Sequence, residues 1–388
     1  MQQLVNARYR IRIKPNKTQY NKILQFAGCS RFVYNHLLET SIDRYKNGLK
    51  SLNTKEMEAE TKDLKSEYDW LKDCDSTALQ QSRIDLQKAF SNFFKGLNGA
   101  HGQRYGYPKF KSKHNSIRYR TPCNNGAKAD IIGKKLKLPK IGLVPIKTRR
   151  LPGYERLISV TIIIEPSGKV YASLAVEKLV QAKVKTGNTT GIDLGLESFI
   201  TLSNGRKIPP FHYSKKNKNK IASMNRKLAK MRTKLTQAGL DYRYASNYQK
   251  YKKKVAKYKT HIANKRKDAL HKLSTQLVNE YDYIIVEDLD VKSMSKNSRL
   301  AYTIQDAGWS MFVEMLKYKC AWYGKTFHKI NRFEPTSTVC SSCGNKHKEI
   351  VNSLAVRSWV CPDCGAEHDR DVNAALNILK VGITELFT

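Results

Sequence analysis

The sequence predicts a multidomain protein of mixed α+β and α/β class. Three observations carry that expectation. The chain has 388 residues, too many for one ordinary core and suited to two to four units. Its hydrophobic pattern switches between strand-like alternation and helical spacing more than once. Two Cys-x-x-Cys pairs near the C-terminal end mark a small unit held by metal.

The elements follow in chain order. VNARYRIRIK at 5–14 alternates like a strand and ends at Pro15 and Asn16. From about 18 to 100 the apolar residues fall at three- and four-residue spacing, as in CSRFVYNHLLETSIDRYKNGL and STALQQSRIDLQKAFSNFFKGL. Ser76 or Thr77 is a candidate cap for the second segment. A basic, aromatic stretch follows, GAHGQRYGYPKFKSKHNSIRYRT. It reads equally well as a connecting loop or as a surface whose rings stack on bases while its cations meet phosphates. Residues 116–178 are strand-like, and LISVTIIIE, PSGK and VYASLAVE form a hairpin signal. QAKVKTGNTT then reads as a linker. Residues 206–272 hold 22 Lys or Arg against only Asp241 and Asp268. Their helical spacing predicts two long helices lining a nucleic-acid channel, because so few acids leave the charge without salt-bridge partners.

The balance of the whole chain points the same way. Seventy-one Lys plus Arg face 33 Asp plus Glu, a formal net charge of +38. A polyanion relieves such self-repulsion, and basic side chains release counterions from phosphates. No apolar stretch approaches the roughly 18 residues of a spanning helix, and MQQLVNARYRIRIKP has no apolar run of signal-peptide type. The chain therefore reads as cytoplasmic, with no membrane partner.

Three short motifs carry carboxylates into apolar surroundings. In GIDLG at 191–195, alternation puts Asp193 on one strand face with Gly191 and Gly195, which leaves room for a metal ion and a phosphate. In YIIVEDLDV at 283–291, Glu287 leaves a buried strand first and shares a face with Ile285, which favours it over Asp288. In DRDVNAALNIL at 369–379, Val372, Ala375, Leu376 and Leu379 form one helix face. Asp371 sits in the first turn of that helix. Asp369 precedes the apolar period and is placed to cap it. Ala374 and Ala375 keep the Asp371 side narrow. Each motif alone has a bland reading as a turn, a helix entry or a cap. Together they give Asp193, Glu287 and Asp371, oxygen ligands suited to Mg²⁺ or Mn²⁺ in phosphodiester hydrolysis.

Of eight cysteines, Cys29, Cys74, Cys123 and Cys320 are scattered and read as small apolar residues. Cys340, Cys343, Cys361 and Cys364 form two pairs separated by 17 residues, the spacing of a Cys₄ zinc ribbon. Gly344 and Gly365 follow each pair, as knuckle turns require. Such a closed site is structural, so zinc is not expected to cut.

With these residues in place, the chain resembles the TnpB proteins of insertion-sequence transposons and their relatives, the type V CRISPR effectors. The resemblance rests on GIDLG, on HIANKRKDALHKLS at 261–274, on IIVEDL at 284–289 and on FEPTSTVCSSCG at 333–344. Its most specific block is CPDCGAEHDRDVNAALNIL at 361–379. YRIRIKPNKTQ at 9–19, CSRFVYNHLLE at 29–39 and GYPKFKSK at 106–113 extend it to the front.

The resemblance implies a wedge-like β-barrel over 1–17 and 110–180 with a helical recognition domain inserted at 18–109. It implies a ribonuclease H-like RuvC nuclease domain over 185–335 and 368–388, with a zinc ribbon at 336–367. Asp193, Glu287 and Asp371 become its metal-binding, catalytic carboxylates, and Cys340, Cys343, Cys361 and Cys364 its zinc ligands. It further implies a guide RNA from the transposon end, a double-stranded target DNA and a short target-adjacent motif, with specificity supplied by base pairing. Lys252, Lys253, Lys254 and Arg266 are the expected nucleic-acid contacts, and a monomer is the favoured state. The sequence ends soon after its last helix, so a family C-terminal tail is expected to be short or missing.

Rival readings are a guided DNA-binding repressor without cleavage, a small type V CRISPR effector and a transposase. The three carboxylates argue against the first. Chain order Asp, Glu, Asp differs from a DDE enzyme, and no His-x-His pair serves a tyrosine transposase.

Overall fold

The structure, a computed structural model, describes residues 2–97, 105–113, 117–123, 129–148, 151–350 and 356–388. Parts of the basic aromatic stretch, at 99–104 and 114–116, lie outside the described residues. Two compact units form, one over Leu4–Leu179 and one over Val180–Thr388 with Met1–Gln3.

The first unit opens with strand β1 (Gln2–Ile13) and helices α1 (Lys17–Lys46), α2 (Thr54–Glu67) and α3 (Ser76–Leu97). Asn16 starts α1 through a reciprocal cap, accepting from the Gln19 N–H while Gln19 Oε1 accepts from its own N–H. The buried stripe Ile23, Phe26, Val33 and Leu37 has helical spacing and packs on α3. The cap expected from Ser76 or Thr77 belongs instead to Asp75. Its Oδ1 accepts from the Thr77 N–H at 3.1 Å, and the Thr121 hydroxyl donates to its Oδ2 at 2.6 Å. A carboxylate outranks a hydroxyl there because it satisfies the helix end and the neighbouring strand together.

Strands β2 (Ile117–Pro122), β3 (Asp130–Ile132), β4 (Lys135–Leu138), β5 (Gly142–Pro145), β6 (Arg156–Ile164) and β7 (Val170–Gln181) complete this unit. One sheet runs β1-β7-β6-β2 and a second runs β3-β4-β5, with an antiparallel bridge between Ile13 and Ile146. The hairpin β6–β7 forms as the alternation predicts, burying Val170, Ala172, Leu174 and Val176 on one face.

The second unit contains β8 (Thr189–Asp193), β9 (Ile200–Leu202), β10 (Lys207–Ile208), α4 (Tyr213–Lys216), α5 (Lys218–Gln237) and α6 (Ser246–Glu280). Then come β11 (Tyr283–Glu287), α7 (Val291–Met294), α8 (Ser298–Ala307), α9 (Trp309–Tyr323), β12 (Thr326–Ile330), β13 (Ser358–Val360), β14 (Glu367–Asp369) and α10 (Arg370–Phe387). Its main sheet has the order β10-β9-β8-β11-β12. β11 and β12 run parallel with β8, whereas β9 is antiparallel to β8 and β10 antiparallel to β9.

Both faces of this sheet are covered, so β11 reads as a continuous apolar run, with Ile284, Ile285 and Val286 fully buried. Ile192, Ile284 and Val286 join Leu270, Leu277, Phe312 and Leu316 of α6 and α9 in one core. Ile285 and Ile330 meet Ile378 of α10 on the other side. Gly191 makes that second packing possible. A Cβ there would lie 2.1 Å from the Ala375 carbonyl oxygen and 2.6 Å from the Leu379 nitrogen, so helix and strand touch backbone to backbone. Gly191→Ala must push α10 off the sheet, because neither neighbour is a side chain that can rotate away. Overpacking of this kind costs about 1–3 kcal/mol. Thermal denaturation should show the second unit melting earlier, and an unchanged transition would contradict this packing.

Candidate metal centres

Register and alternation bring the three carboxylates to one end of the sheet. Tyr283 pairs with Thr189 and Val286 with Ile192, so one further step sets Glu287 beside Asp193. Gly191 and Ile285 face α10, and period two turns Asp193 and Glu287 to that same side. Asp371 sits in the first turn of α10. Asp369 is its N-cap, with Oδ1 accepting from the N–H groups of Asp371 and Val372, both at 3.1 Å.

Asp288 points elsewhere. Lys329 and Arg332 donate to it at 2.9 and 2.7 Å, and these bonds hold its carboxyl below the usual carboxylate range. Asp290 caps α7 through the Ser293 N–H. The glycine expectation needs correcting. The space beside Gly191 is filled by α10, and a Cβ on Gly195 would lie 2.7 Å from the Ser198 carbonyl oxygen, so neither is held open for an ion. The glycines serve close packing and a tight turn.

Electrostatics mark the carboxylate group. Burial, and then repulsion from Glu287 and Asp371, push Asp193 up to about 8 against the pull of Arg370 and Lys207. Burial alone raises Glu287 to about 7. Lys207 Nζ lies 2.7 Å from Asp369 and 3.9 Å from Asp371, and Arg357 reaches Asp371 at 3.7 Å. Acids raised by burial and mutual repulsion, with an all-oxygen donor set, suit a hard divalent cation. The trio is wider than the sulfur cluster. Among the described residues, only the four cysteines and the group His347, Cys361 and Asp363 bring three or more ligand atoms within 4.8 Å of one another.

The cysteines form two matched knuckles. Gly344 N–H donates to the Cys340 carbonyl and Gly365 N–H to that of Cys361, both at 2.9 Å. Both glycines take positive φ, 84° and 72°. Cys340 and Cys364 sulfurs lie 3.7 Å apart, as do those of Cys343 and Cys361. Tetrahedral zinc with Zn–S bonds near 2.3 Å requires about 3.8 Å between sulfurs, which these two pairs match, and all four sulfurs lie within 4.8 Å of one another.

Sequence reasoning missed two histidines here. His368 Nε2 lies 3.0 Å from the Cys340 sulfur and His347 Nε2 lies 3.4 Å from that of Cys361. Each follows its own knuckle in a repeated C-x-x-C-G-x-x-H pattern, at 340–347 and 361–368, and reaches the opposite one. Against burial, backbone donors and His368 pull the Cys340 thiol down to about 5, which favours the thiolate that a metal needs. Trp359 packs on His368 and shares a small core with Cys340 and Cys361.

The expected nucleic-acid contacts separate into two kinds. Lys252, Lys253 and Lys254 are exposed on α6. Arg266 turns inward, donating to the Gln305 carbonyl at 3.1 Å and to buried Asp306 at 3.3 Å. Asp306 also accepts from the N–H groups of Ser214 and Lys215, so Arg266 completes an internal network. α5 buries no residue of its own. Cations over rings tie it to its surroundings: Lys220 over Tyr258, Lys227 over Tyr251 and Arg232 over Tyr242, at 4.7–5.3 Å.

Fold and site together define a basic, mixed α/β protein that joins a Cys₄ ribbon to an acidic centre at strand ends. Comparison with known proteins refines that class. Residues 1–50 match a family described as "Helix-turn-helix domain", 169–298 one described as "Probable transposase" (OrfB of IS605), and 309–378 "Cas12f1-like, TNB domain". A Streptomyces pristinaespiralis protein named "Putative RNA-guided DNA endonuclease" is 33% identical over 389 residues, covering 99% of this chain and 91% of that one. The Escherichia coli protein "Putative RNA-guided DNA endonuclease InsQ" is 31% identical over 395 residues, covering 96% and 92%. A solved structure of a Cas12f1–sgRNA–target DNA complex shares the fold, with a TM-score of 0.56 at 12% identity over 97% of this chain and 98% of that one. The chain belongs to the TnpB family, the OrfB proteins of IS605-type transposons.

Zinc loss and pH each test these centres. Cys340→Ser or Cys361→Ser should lower both zinc content and melting temperature, because the ribbon has little core besides its metal. Elemental analysis that finds no zinc in folded wild-type protein would refute the zinc assignment. The second test concerns pH. Asp193 and Glu287 have raised pKa values, so protonation stabilises the fold. That contribution is full below the ordinary carboxylate pKa of about 4 and is lost as pH rises through about 7 for Glu287 and about 8 for Asp193. A divalent ion needs the deprotonated pair, so millimolar Mg²⁺ should raise the melting temperature more at about pH 8.5 than at about pH 6. Equal stabilisation at both would count against these acids as ligands.

Proposed function

We propose that this chain is a metal-dependent, RNA-guided DNA endonuclease. The observation that carries the reading is the convergence of Asp193, Glu287 and Asp371 on one end of a five-stranded sheet. Its parallel core with an antiparallel meander supports the reading of a ribonuclease H-like RuvC domain. In that reading, residues 185–335 and 368–388 are the nuclease and 336–367 the zinc ribbon. Strands of 1–17 and 110–180 form the wedge-like barrel, and 18–109 the recognition helices. The named relatives support guide RNA and target DNA as partners.

Asp193, Glu287 and Asp371 would hold Mg²⁺ or Mn²⁺. Such ions lower the pKa of a bound water and stabilise the leaving oxygen in phosphodiester hydrolysis. The chain's own residues prepare the site. Lys207 and Arg357 flank Asp371 and leave a positive rim for a phosphate. Leu194, Leu289 and Trp309, together with Ser310, Glu314 and Lys329, line the pocket that Glu287 also borders. Lys329 and Arg332 keep Asp288 out of the ligand set.

The test uses purified ribonucleoprotein, a matched duplex and Mg²⁺. Asp193→Ala, Glu287→Ala and Asp371→Ala should each bind target and fail to cut. Asp369→Ala should still cut, at a cost of about 1 kcal/mol of stability from the missing cap. Cutting by all four at the wild-type rate would overturn the reading. Binding has a separate check. Neutralising Lys252, Lys253 and Lys254 together should weaken nucleic-acid binding and flatten its salt dependence by about 0.7–0.9 for each phosphate no longer neutralised. An unchanged slope would remove these lysines from the interface.

A further inference from the structure

Helix α10 touches both metal centres, and the bonds that fix it to the zinc ribbon come from a few side chains. Asn373 lies two residues past Asp371 and is 1% exposed. Its Oδ1 accepts from the Ser341 N–H at 2.8 Å, and its Nδ2 donates to the Val339 carbonyl at 2.7 Å. One turn on, the Nδ2 of buried Asn377 donates to the carbonyls of Thr336 and Val339, at 2.8 and 2.7 Å. Lys380 Nζ donates to the Ser341 carbonyl at 3.2 Å. Residues 373, 377 and 380 share one helix face. All of them grip the segment that ends inside the first knuckle, because Ser341 stands between Cys340 and Cys343.

The two knuckles differ at one point that matters. Their backbone bonds match: Cys340 N–H donates to the Asn345 carbonyl and Cys361 N–H to that of Ala366, beside the paired glycine bonds. At the position of Ser341, however, the second knuckle has Pro362. Proline has no N–H to give. The knuckle geometry therefore accepts proline there, and the donor that Asn373 captures is a feature of the first knuckle that its turn does not need.

α10 is thus held from two sides. On the sheet side, Gly191 lets its backbone press on β8 and sets the depth of approach. On the ribbon side, the amides of Asn373 and Asn377 fix its rotation and axial position. Asp371 sits in the first turn, nearest to that second grip. We infer that Asn373 and Asn377 are positioning residues that transmit the state of the cysteine site to Asp371, so that an intact zinc knuckle sets how tightly the carboxylate centre binds a divalent cation. The inference rests on the proposed reading of that centre. Loss of the knuckle disarms cutting and spares guide and target binding, which rest on the basic surface.

Ser341→Pro is the incisive variant, since it deletes the captured N–H and copies the second knuckle. Asn373→Ala removes the other partner. In each, zinc per chain is measured by elemental analysis, target binding by titration of the ribonucleoprotein, and cutting as a function of Mg²⁺. Mn²⁺ affinity is measured on the full chain without RNA, with Asp371→Ala as the blank. Zinc content and target affinity should stay within about twofold, while the Mg²⁺ needed for half-maximal cutting and the Mn²⁺ Kd both rise about tenfold, because a buried amide loses its partner. A merely structural role would lower melting temperature and leave cation affinity alone. Unchanged Mg²⁺ requirement and Mn²⁺ Kd in zinc-loaded variants overturn the inference. Should either variant lose zinc or fold poorly, Lys380→Ala decides, since it removes a surface bond to the same residue. A rise in Mg²⁺ requirement of about twofold supports the coupling, and no rise refutes it. If wild type binds Mn²⁺ through Asp371, Ser341→Pro weakens that binding and no cutting is seen at all, the coupling stands and the nuclease reading falls.

Discussion

The close approach between the backbones of α10 and β8 governs the second unit. β8 is the central strand, hydrogen-bonded on both edges to β9 and β11, so it cannot move aside for a helix. The helix must come to it, and that requires a residue without a side chain at Gly191 and small ones at Ala374 and Ala375. Gly382 repeats the device one strand over, where a Cβ would lie 2.3 Å from the Ile285 side chain. Close approach along that length brings the first turn of α10 level with the ends of β8 and β11. Asp371, distant in sequence, then arrives beside Asp193 and Glu287.

That geometry creates an electrostatic well inside a chain of net charge +38. Asp193 and Glu287 are buried enough to resist ionisation, and the charges of Glu287 and Asp371 raise the cost of ionising Asp193 further. Lys207 and Arg357 relieve part of that repulsion, but both are about half exposed and screened, so each such pair contributes on the order of 1 kcal/mol or less. What remains is a deficit of positive charge, which a compact divalent ion meets better than a flexible side chain does. The same cations at the rim are complementary to phosphate. Under the proposed function, a basic surface and an acidic centre would act on one polyanion in different ways.

Much of this was legible in the sequence because it rests on period and spacing. The run YIIV, the three- and four-residue apolar steps after Asp371 and the two Cys-x-x-Cys pairs each dictate a local geometry. The family resemblance then joined them. What could not be read was direction. Gly191 and Asp193 share a face, yet nothing local says that a helix occupies it. Arg266 sits among lysines that face solvent and turns instead to Asp306, a partner from a later helix. Asp75 outcompeted Ser76 and Thr77 through a bond to Thr121, which the pattern of α3 does not contain. The C-x-x-C-G-x-x-H repeat was present in plain letters. Its histidines gained meaning only when each was seen to reach the opposite knuckle.

Chain connectivity gives the proposed coupling between the cysteine ribbon and the carboxylate centre a second route. β14 ends at Asp369 and α10 begins at Arg370, so no linker separates ribbon from helix. The residue that ends the ribbon strand is also the N-cap that starts the helix. With no slack between them, any tilt of β14 becomes a tilt of the turn that bears Asp371. β14 in turn is held by only three pairs to β13, and the core beneath them is Trp359 against two metal-site cysteines. So small a sheet has little intrinsic rigidity. Two buried asparagines bind the knuckle to the helix, and four thiolates drawn to one ion would add the stiffness that the ribbon's own apolar core cannot supply.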